Sequence, residues 1–169
     1  KNTQMALDMG FTRSTGFLAN PYKLVYQYNI DQSQGQLTDS PQIVSVSQGH
    51  IETRPGERNQ FNWHLGLSHY FAPLDAALHF NYRFAHDDWD INAHTFEGDW
   101  VQPLGGGWTL TPRLRYYSQS GAFFYTPYLV SVISGADSVT GLPVYSKAPP
   151  QFFSSDQRLS GFGTLSGGV

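Results

Sequence analysis

An apolar–polar alternation with a period of two constrains this chain more than any other feature. In Gln60–Phe71, Phe61, Trp63, Leu65 and Leu67 alternate with Asn62, His64, Gly66 and Ser68. Successive side chains of a strand point to opposite faces, whereas a helix repeats every 3.6 residues, so this spacing predicts a strand with one apolar and one polar face. The pattern recurs. Thr3–Phe11 sets Met5, Leu7, Met9 and Phe11 against Gln4, Ala6, Asp8 and Gly10, and Ala76–Phe84 sets Leu78, Phe80, Tyr82 and Phe84 against His79, Asn81 and Arg83. Trp108–Tyr116 sets Leu110, Leu114 and Tyr116 against Thr109, Thr111, Arg113 and Arg115. Ile91–Val101 is less regular, and Leu159–Val169 is rich in Gly and Ser. Six strands of about ten residues follow, close to the span of a tilted membrane strand. Pro112 lacks the amide hydrogen a ladder needs and is expected at a bulge or a strand start.

The connections alternate in length. Phe71–Asp75 and Gln102–Gly107 are short turns rich in Pro and Gly, and Ala85–Asp90 is short and acidic. Residues 12–58 and 119–156 are long, with weaker β-signals at Lys23–Ile30 and Ile43–Gln48. Pro127, Pro143, Pro149 and Pro150 point to irregular structure in the second long loop. Short turns on one side and long loops on the other are the habit of outer-membrane barrels. Composition agrees. Charged residues are 14% of the chain, against about 25% in an average soluble domain, aromatics are 15%, and the mean hydropathy is −0.36. No run approaches the roughly 20 apolar residues of a membrane helix. The expected fold is therefore all-β: an antiparallel transmembrane β-barrel of outer-membrane type, here an incomplete barrel of about six long strands in a single domain over 1–169. Six strands are fewer than the eight of the smallest such barrels, so an open sheet with two edges is expected.

Counting outward from the turns gives a register. Centring the Gln102–Gly107 turn near Gly105 sets Glu97 opposite Arg113 and Thr95 opposite Arg115. A similar count about Phe71–Asp75 sets His64 near Arg83 and Ser68 near His79. Asp8, His64, His79, Arg83, Glu97, Asp99, Arg113 and Arg115 then share the polar face and are the lumen-lining candidates, as a selectivity surface or a salt-bridged ladder. On the lipid face a mid-membrane Arg would cost about 2–4 kcal/mol.

Other constellations carry less. His86, Asp87, Asp88, Asp90 and His94 form the densest polar cluster and are the weak metal candidates, but the spacing is not that of an EF-hand and suits an acidic hairpin turn. Ser68 with His64 and His79 has the residue types of a nucleophile and its base, yet no G-x-S-x-G elbow is present, so no catalytic residue is assigned. Gly105, Gly106 and Gly107 precede a strand and no Lys-Ser or Lys-Thr, which reads as a tight turn rather than a phosphate loop. Trp63, Trp100, Trp108, Tyr116, Tyr117, Phe123, Phe124 and Tyr125 are expected as interface girdle residues, with a sugar platform as the sharper alternative. There is no cysteine, which removes disulfides and thiolate chemistry, and a net charge of −3 gives no case for nucleic acid.

The strings GFLANPYK (Gly16–Lys23), ETRPGER (Glu52–Arg58), HDDWDINAHTFE (His86–Glu97), QPLGGGWTLTPRLRYYSQSGAFFYTPY (Gln102–Tyr128) and FFSSDQRLSGFGTLSGGV (Phe152–Val169) together resemble the bacterial family called domain of unknown function 3570. The likeness runs from near residue 1 to the end. It implies an outer-membrane β-barrel of longer chain, exported by a signal peptide, of which this sequence is a fragment, and it implies no activity and no catalytic residues. The expected function is that of an outer-membrane barrel, as a pore for small solutes or a scaffold for a periplasmic or surface partner, in contact with outer-membrane lipid and without a cofactor. The alternative is a soluble or surface-attached β-sandwich that binds ligands through its aromatic loops; an outer-membrane enzyme is the remoter third.

Overall fold

The computed structural model describes residues 2–31, 43–46, 49–145 and 149–169. Its strands are β1 (Thr3–Thr15), β2 (Leu24–Val25), β3 (Gln27–Asp31), β4 (Ile43–Val46), β5 (His50–Ile51), β6 (Glu57–Phe71) and β7 (Ala76–Asp87). They continue with β8 (Asn92–Gly105), β9 (Trp108–Leu110), β10 (Arg113–Gln119), β11 (Leu129–Ala136), β12 (Pro143–Tyr145) and β13 (Phe162–Gly168). Among the described residues there is no α-helix, only single 3-10 turns at Ala72–Leu74 and Gln157–Leu159. The chain groups into two compact units, where the sequence suggests one domain with two long loops. The first holds 1–15, 57–123 and 160–169, and the second 16–56 and 124–159.

The first unit is one antiparallel sheet in the order β1-β6-β7-β8-β10-β13, with β9 paired to β8. All six strands read from the alternation are there, each beside the next in sequence. Four of them run longer than expected: β1 has 13 residues, β6 15, β7 12 and β8 14. The described sheet ends at β1 and β13, which are not paired with each other. It is an open sheet, as the strand count requires, with two free edges.

Local chemistry sets the turns. Between β6 and β7, Pro73 lies in a single 3-10 turn closed by Asp75 in the left-handed region at φ 46°. Gly105, Gly106 and Gly107 follow at φ 82°, 62° and 83°, a conformation other residues adopt only under strain. They form the tight turn expected, but the ladder shifts by a bulge between Pro103 and Gly105. The turn therefore centres one residue later than the count assumes, and Arg113 faces Asp99 while Arg115 faces Glu97. This corrects the expected Glu97–Arg113 and Thr95–Arg115 pairs by two residues. About the Phe71–Asp75 turn the count holds: His64 faces Arg83 and Ser68 faces His79. Pro112 falls in the break between β9 and β10, where its carbonyl accepts the Trp100 amide at 3.0 Å.

The second unit has the β-structure expected in the first long loop and corrects the expectation of irregular structure in the second, which contains β11 and β12. It has a four-stranded sheet in the order β12-β11-β3-β4 and a two-stranded β2-β5 ladder. The β-signals at Lys23–Ile30 and Ile43–Gln48 correspond to β2, β3 and β4, residues 47–48 lying outside the described residues. Pro143 opens β12, an edge strand, where a missing amide hydrogen is tolerated. The sheet is also not wholly antiparallel, since β11 runs parallel to β3, with Leu129 facing Gln27 and Val132 facing Ile30. A parallel pair needs a long crossover, and nearly a hundred residues separate these strands in sequence. Val25, Leu129 and Phe153 form this unit's buried apolar cluster.

Candidate functional site

The register of the long sheet sorts its side chains into two faces. On one, Leu7, Leu65, Tyr82, Phe96, Tyr116 and Leu165 form a continuous row across six strands, with Met5, Leu67, Phe80 and Leu114 in the row beside it. Met9, Trp63 and Phe84 form a third. The rings touch: Phe11 and Phe61 lie 4.9 Å apart, Trp63 and Phe84 stack at 5.4 Å, and Tyr82 and Phe96 lie at 4.7 Å. These residues are nevertheless far from buried. Met5 is 70%, Leu7 61%, Met9 71% and Leu114 57% exposed.

The other face holds all eight lumen-lining candidates in three adjacent rows. The first runs Asp8, His64, Arg83, Thr95, Tyr117 and Thr164; the second Ala6, Gly66, Asn81, Glu97, Arg115 and Ser166. The third runs Gln4, Ser68, His79, Asp99, Arg113 and Gly168. Charge alternates from strand to strand: Asp8 on β1, Arg83 on β7, Glu97 and Asp99 on β8, Arg113 and Arg115 on β10. Arg115 Nε meets Glu97 Oε1 at 3.1 Å. His64 bridges strands, with Nδ1 3.1 Å from Asp8 Oδ2 and Nε2 2.9 Å from Asn81 Oδ1. Ser68 Oγ lies 2.9 Å from His79 Nδ1. Laddered charges of this kind suit a wet surface better than a lipid-facing one.

The acidic turn differs from its expected form. His86 and Asp87 are the last residues of β7, and Asp87 is only 2% exposed rather than a surface residue. Its carboxylate accepts from the backbone amides of Trp89 and Ile91, each at 3.0 Å, and from Arg58 at 2.8 and 2.5 Å. The Arg58 guanidinium also sits 4.8 Å over the buried Trp89 ring, whose Nε1 donates to the Glu57 carbonyl. Asp88 holds Asn59, His86 pairs with Asn92, and His94 Nδ1 lies 2.9 Å from the Tyr82 hydroxyl on the apolar face. Asp90 takes φ 65° in the turn. The weak metal candidates thus each have separate work, and among the described residues no three His, Asp or Glu side chains converge as a metal set.

The expected girdle divides too. Trp63, Trp108 and Tyr116 are on or beside the apolar face and exposed. Tyr117 instead lies on the polar face and donates to Gln119 at 2.5 Å, and Phe124 is buried in the second unit. Tyr125 forms an isolated bridge with Ser154.

The second unit holds a buried ionic network that pattern reading misses. Glu52, whose side chain is fully buried, meets Arg54 at 2.7 Å, and Arg54 meets Asp156 at 2.9 Å. Ser154 donates to Glu52, the Asn20 amide donates to Glu52 at 2.6 Å, and Arg158 closes on Asp156 at 2.6 Å. The Arg158 guanidinium, with help from Arg54, holds the Asp156 carboxyl well below the usual carboxylate range against the opposing effect of burial. The one available signal was the alternation of opposite charges at Glu52 and Arg54 beside a Pro-Gly break; their partners lie a hundred residues on.

No curated protein and no solved structure matches the chain. The family model described as protein of unknown function (DUF3570) matches residues 1–169, the whole of the sequence, and the chain belongs to that family.

Proposed function

We propose that the six-stranded sheet is a wall segment of a bacterial outer-membrane β-barrel, its apolar face turned to lipid and its polar face to a hydrated interior that passes small solutes. The observation that carries this reading is the exposure of the alternating large apolar side chains of β1, β6, β8 and β10. A sandwich would bury that face under a second sheet at about 10 Å, and exposed apolar surface is unfavourable in water by about 25 cal/mol per Å². A bilayer removes that penalty. Strand length fits as well: from Phe61 to Phe71 the apolar face of β6 spans roughly 34 Å along the strand, or about 25 Å of membrane depth once tilted, the height of a barrel's apolar band. The polar face offers a lane of alternating charge rather than a single-sign ring, so the pore reading expects weak ion preference.

The test is fractionation of the native cells into outer membrane and soluble periplasm, followed by electrophoresis with and without boiling. Recovery in the outer membrane with a heat-dependent mobility shift supports the barrel, and conductance in planar bilayers then examines the pore. Recovery in the soluble periplasm with no shift overturns it.

A further inference from the structure

The short turns of the long sheet differ in what they do with their large apolar side chains. At one end of the sheet Leu74 and Trp108 stand exposed, whereas the 88–91 turn between β7 and β8 carries Trp89 and Ile91 only 3% and 7% exposed. The register shows which way that turn is folded. Asp87 faces Gln60 and Arg58 faces Ser14, so by alternation from His64 and Arg83 both side chains continue the polar face. The Asp87 carboxylate accepts the Trp89 and Ile91 amides, each at 3.0 Å, and the Arg58 guanidinium stands 4.8 Å over the Trp89 ring. The turn is curled over the polar face rather than extended beyond the strand ends. The geometry points to a fixed lip at the barrel mouth, in which the 88–91 turn, held inward by Arg58 through Asp87, narrows the hydrated interior and sets the largest solute that enters. This inference rests on the proposed barrel, since a lip needs a lumen to narrow.

The turn is tied on both sides. Toward β6, Asp87 Oδ2 accepts Nε and one Nη of Arg58 at 2.8 and 2.5 Å, and Trp89 Nε1 donates to the Glu57 carbonyl at 2.9 Å. Toward the segment after β10, the Trp89 carbonyl accepts the Phe123 amide at 3.0 Å. Ser120 Oγ donates to the Asp90 carbonyl and accepts the Asn92 amide, each at 2.8 Å. In the strand order β6-β7-β8-β10 the lip thus bridges four strands.

Two properties follow from this construction. A segment with buried side chains and many internal hydrogen bonds opens rarely, and the charge-assisted bonds to Asp87 are of the strong kind, so the lip is a standing constriction rather than a gate. Both Asp87 oxygens are also taken and its charge is matched by Arg58. The pair therefore offers a passing ion no site, and the lip discriminates by size. Trp89 supplies the bulk, as a wide ring with few rotamers.

The experiment uses the whole protein purified from membranes, with a heat-dependent mobility shift as the criterion of a folded barrel for each variant. Permeation is measured by liposome swelling in neutral sugars of rising size and by conductance in planar bilayers. Trp89→Ala and Arg58→Ala are expected to admit sugars that the native protein excludes and to raise conductance severalfold. Asp87→Asn, which keeps an acceptor for the turn amides and loses the charge that holds Arg58, should fall between native and Arg58→Ala. A second readout needs no pore. The chain has no cysteine, so Ile91→Cys introduces a single thiol within the lip, and its reaction with a maleimide in detergent should be slow alone and severalfold faster when combined with Arg58→Ala. Unchanged permeation in heat-modifiable Trp89→Ala, or equal maleimide rates with and without Arg58, overturns the lip and leaves the barrel standing. A native protein with neither mobility shift nor conductance overturns the barrel, and the lip with it.

Discussion

The two units of this chain satisfy the same physical demands by opposite means. The long-strand unit closes its backbone hydrogen bonds in one wide ladder and leaves much of its large apolar surface uncovered. The second unit has short strands, a small apolar cluster at Val25, Leu129 and Phe153, and a buried ionic network joining its two chain segments. On the proposed reading the first depends on an apolar medium outside itself; the second carries its cohesion inside. Length of regular strand and self-sufficiency of packing are therefore separate properties, and the same chain separates them.

That contrast is broken most forcefully at Arg54. Truncation to Ala leaves Glu52 and Asp156 as facing carboxylates with little solvent, and removal of one member of a buried pair costs about 3–5 kcal/mol. The expected outcome is loss of the second unit, read as protease cleavage within 16–56 and 124–159, while β6–β8 stays protected. Equal loss of protection in both units would show that they are not energetically separate.

A smaller effect distinguishes the two faces of the long sheet. Leu65→Arg, in the central apolar row, is expected to lower stability in lipid vesicles by about 2–4 kcal/mol in urea titration. Ala6→Arg, on the opposite face, should cost less than about 0.5 kcal/mol. Equal costs would mean that lipid does not face Leu65.

Acid sharpens the comparison further. Asp156 has a depressed carboxyl in the folded state, so its stabilisation is fully present above the ordinary carboxylate range and is lost as pH falls through the lower native value. The second unit should hold through mildly acidic pH and weaken only under strong acid. Asp156→Asn removes that dependence, measurable as a flattened acid limb of unfolding followed by proteolysis. Least of all, Arg115→Ala breaks a half-exposed cross-strand pair with Glu97. It should cost about 0.2–1 kcal/mol, and a larger loss would place the pair in a drier setting than the polar face suggests.

Much of the long sheet was legible because a period of two, sustained over ten or more residues, encodes both strand and face. Phe61 to Leu67 and Leu78 to Phe84 carry that signal without ambiguity, and the short Pro-containing turn between them fixed the His64–Arg83 and Ser68–His79 pairs. The Gly105–Gly107 turn did not fix its register, because three residues in the left-handed region permit a bulge that a residue count cannot detect. The second unit was illegible for another reason. Its decisive pairs, β3 with β11 and Arg54 with Asp156, are far apart in sequence, and strands of two to eight residues carry too little periodicity to announce a partner. Asp87 was mistaken for a surface turn former because its partner Arg58 sits at the start of the preceding long strand.

The order of strands in the sheet also sets an order in time. β6, β7 and β8 are joined by connections of about four residues, whereas β1 reaches β6, and β10 reaches β13, only after loops roughly tenfold longer, at about 2 kcal/mol more closure entropy each. The central hairpins are thus the natural nucleus, and the two edge strands dock late. Lengthening the chain within 16–56 should leave the rate of central hairpin formation unchanged and slow only the arrival of β1.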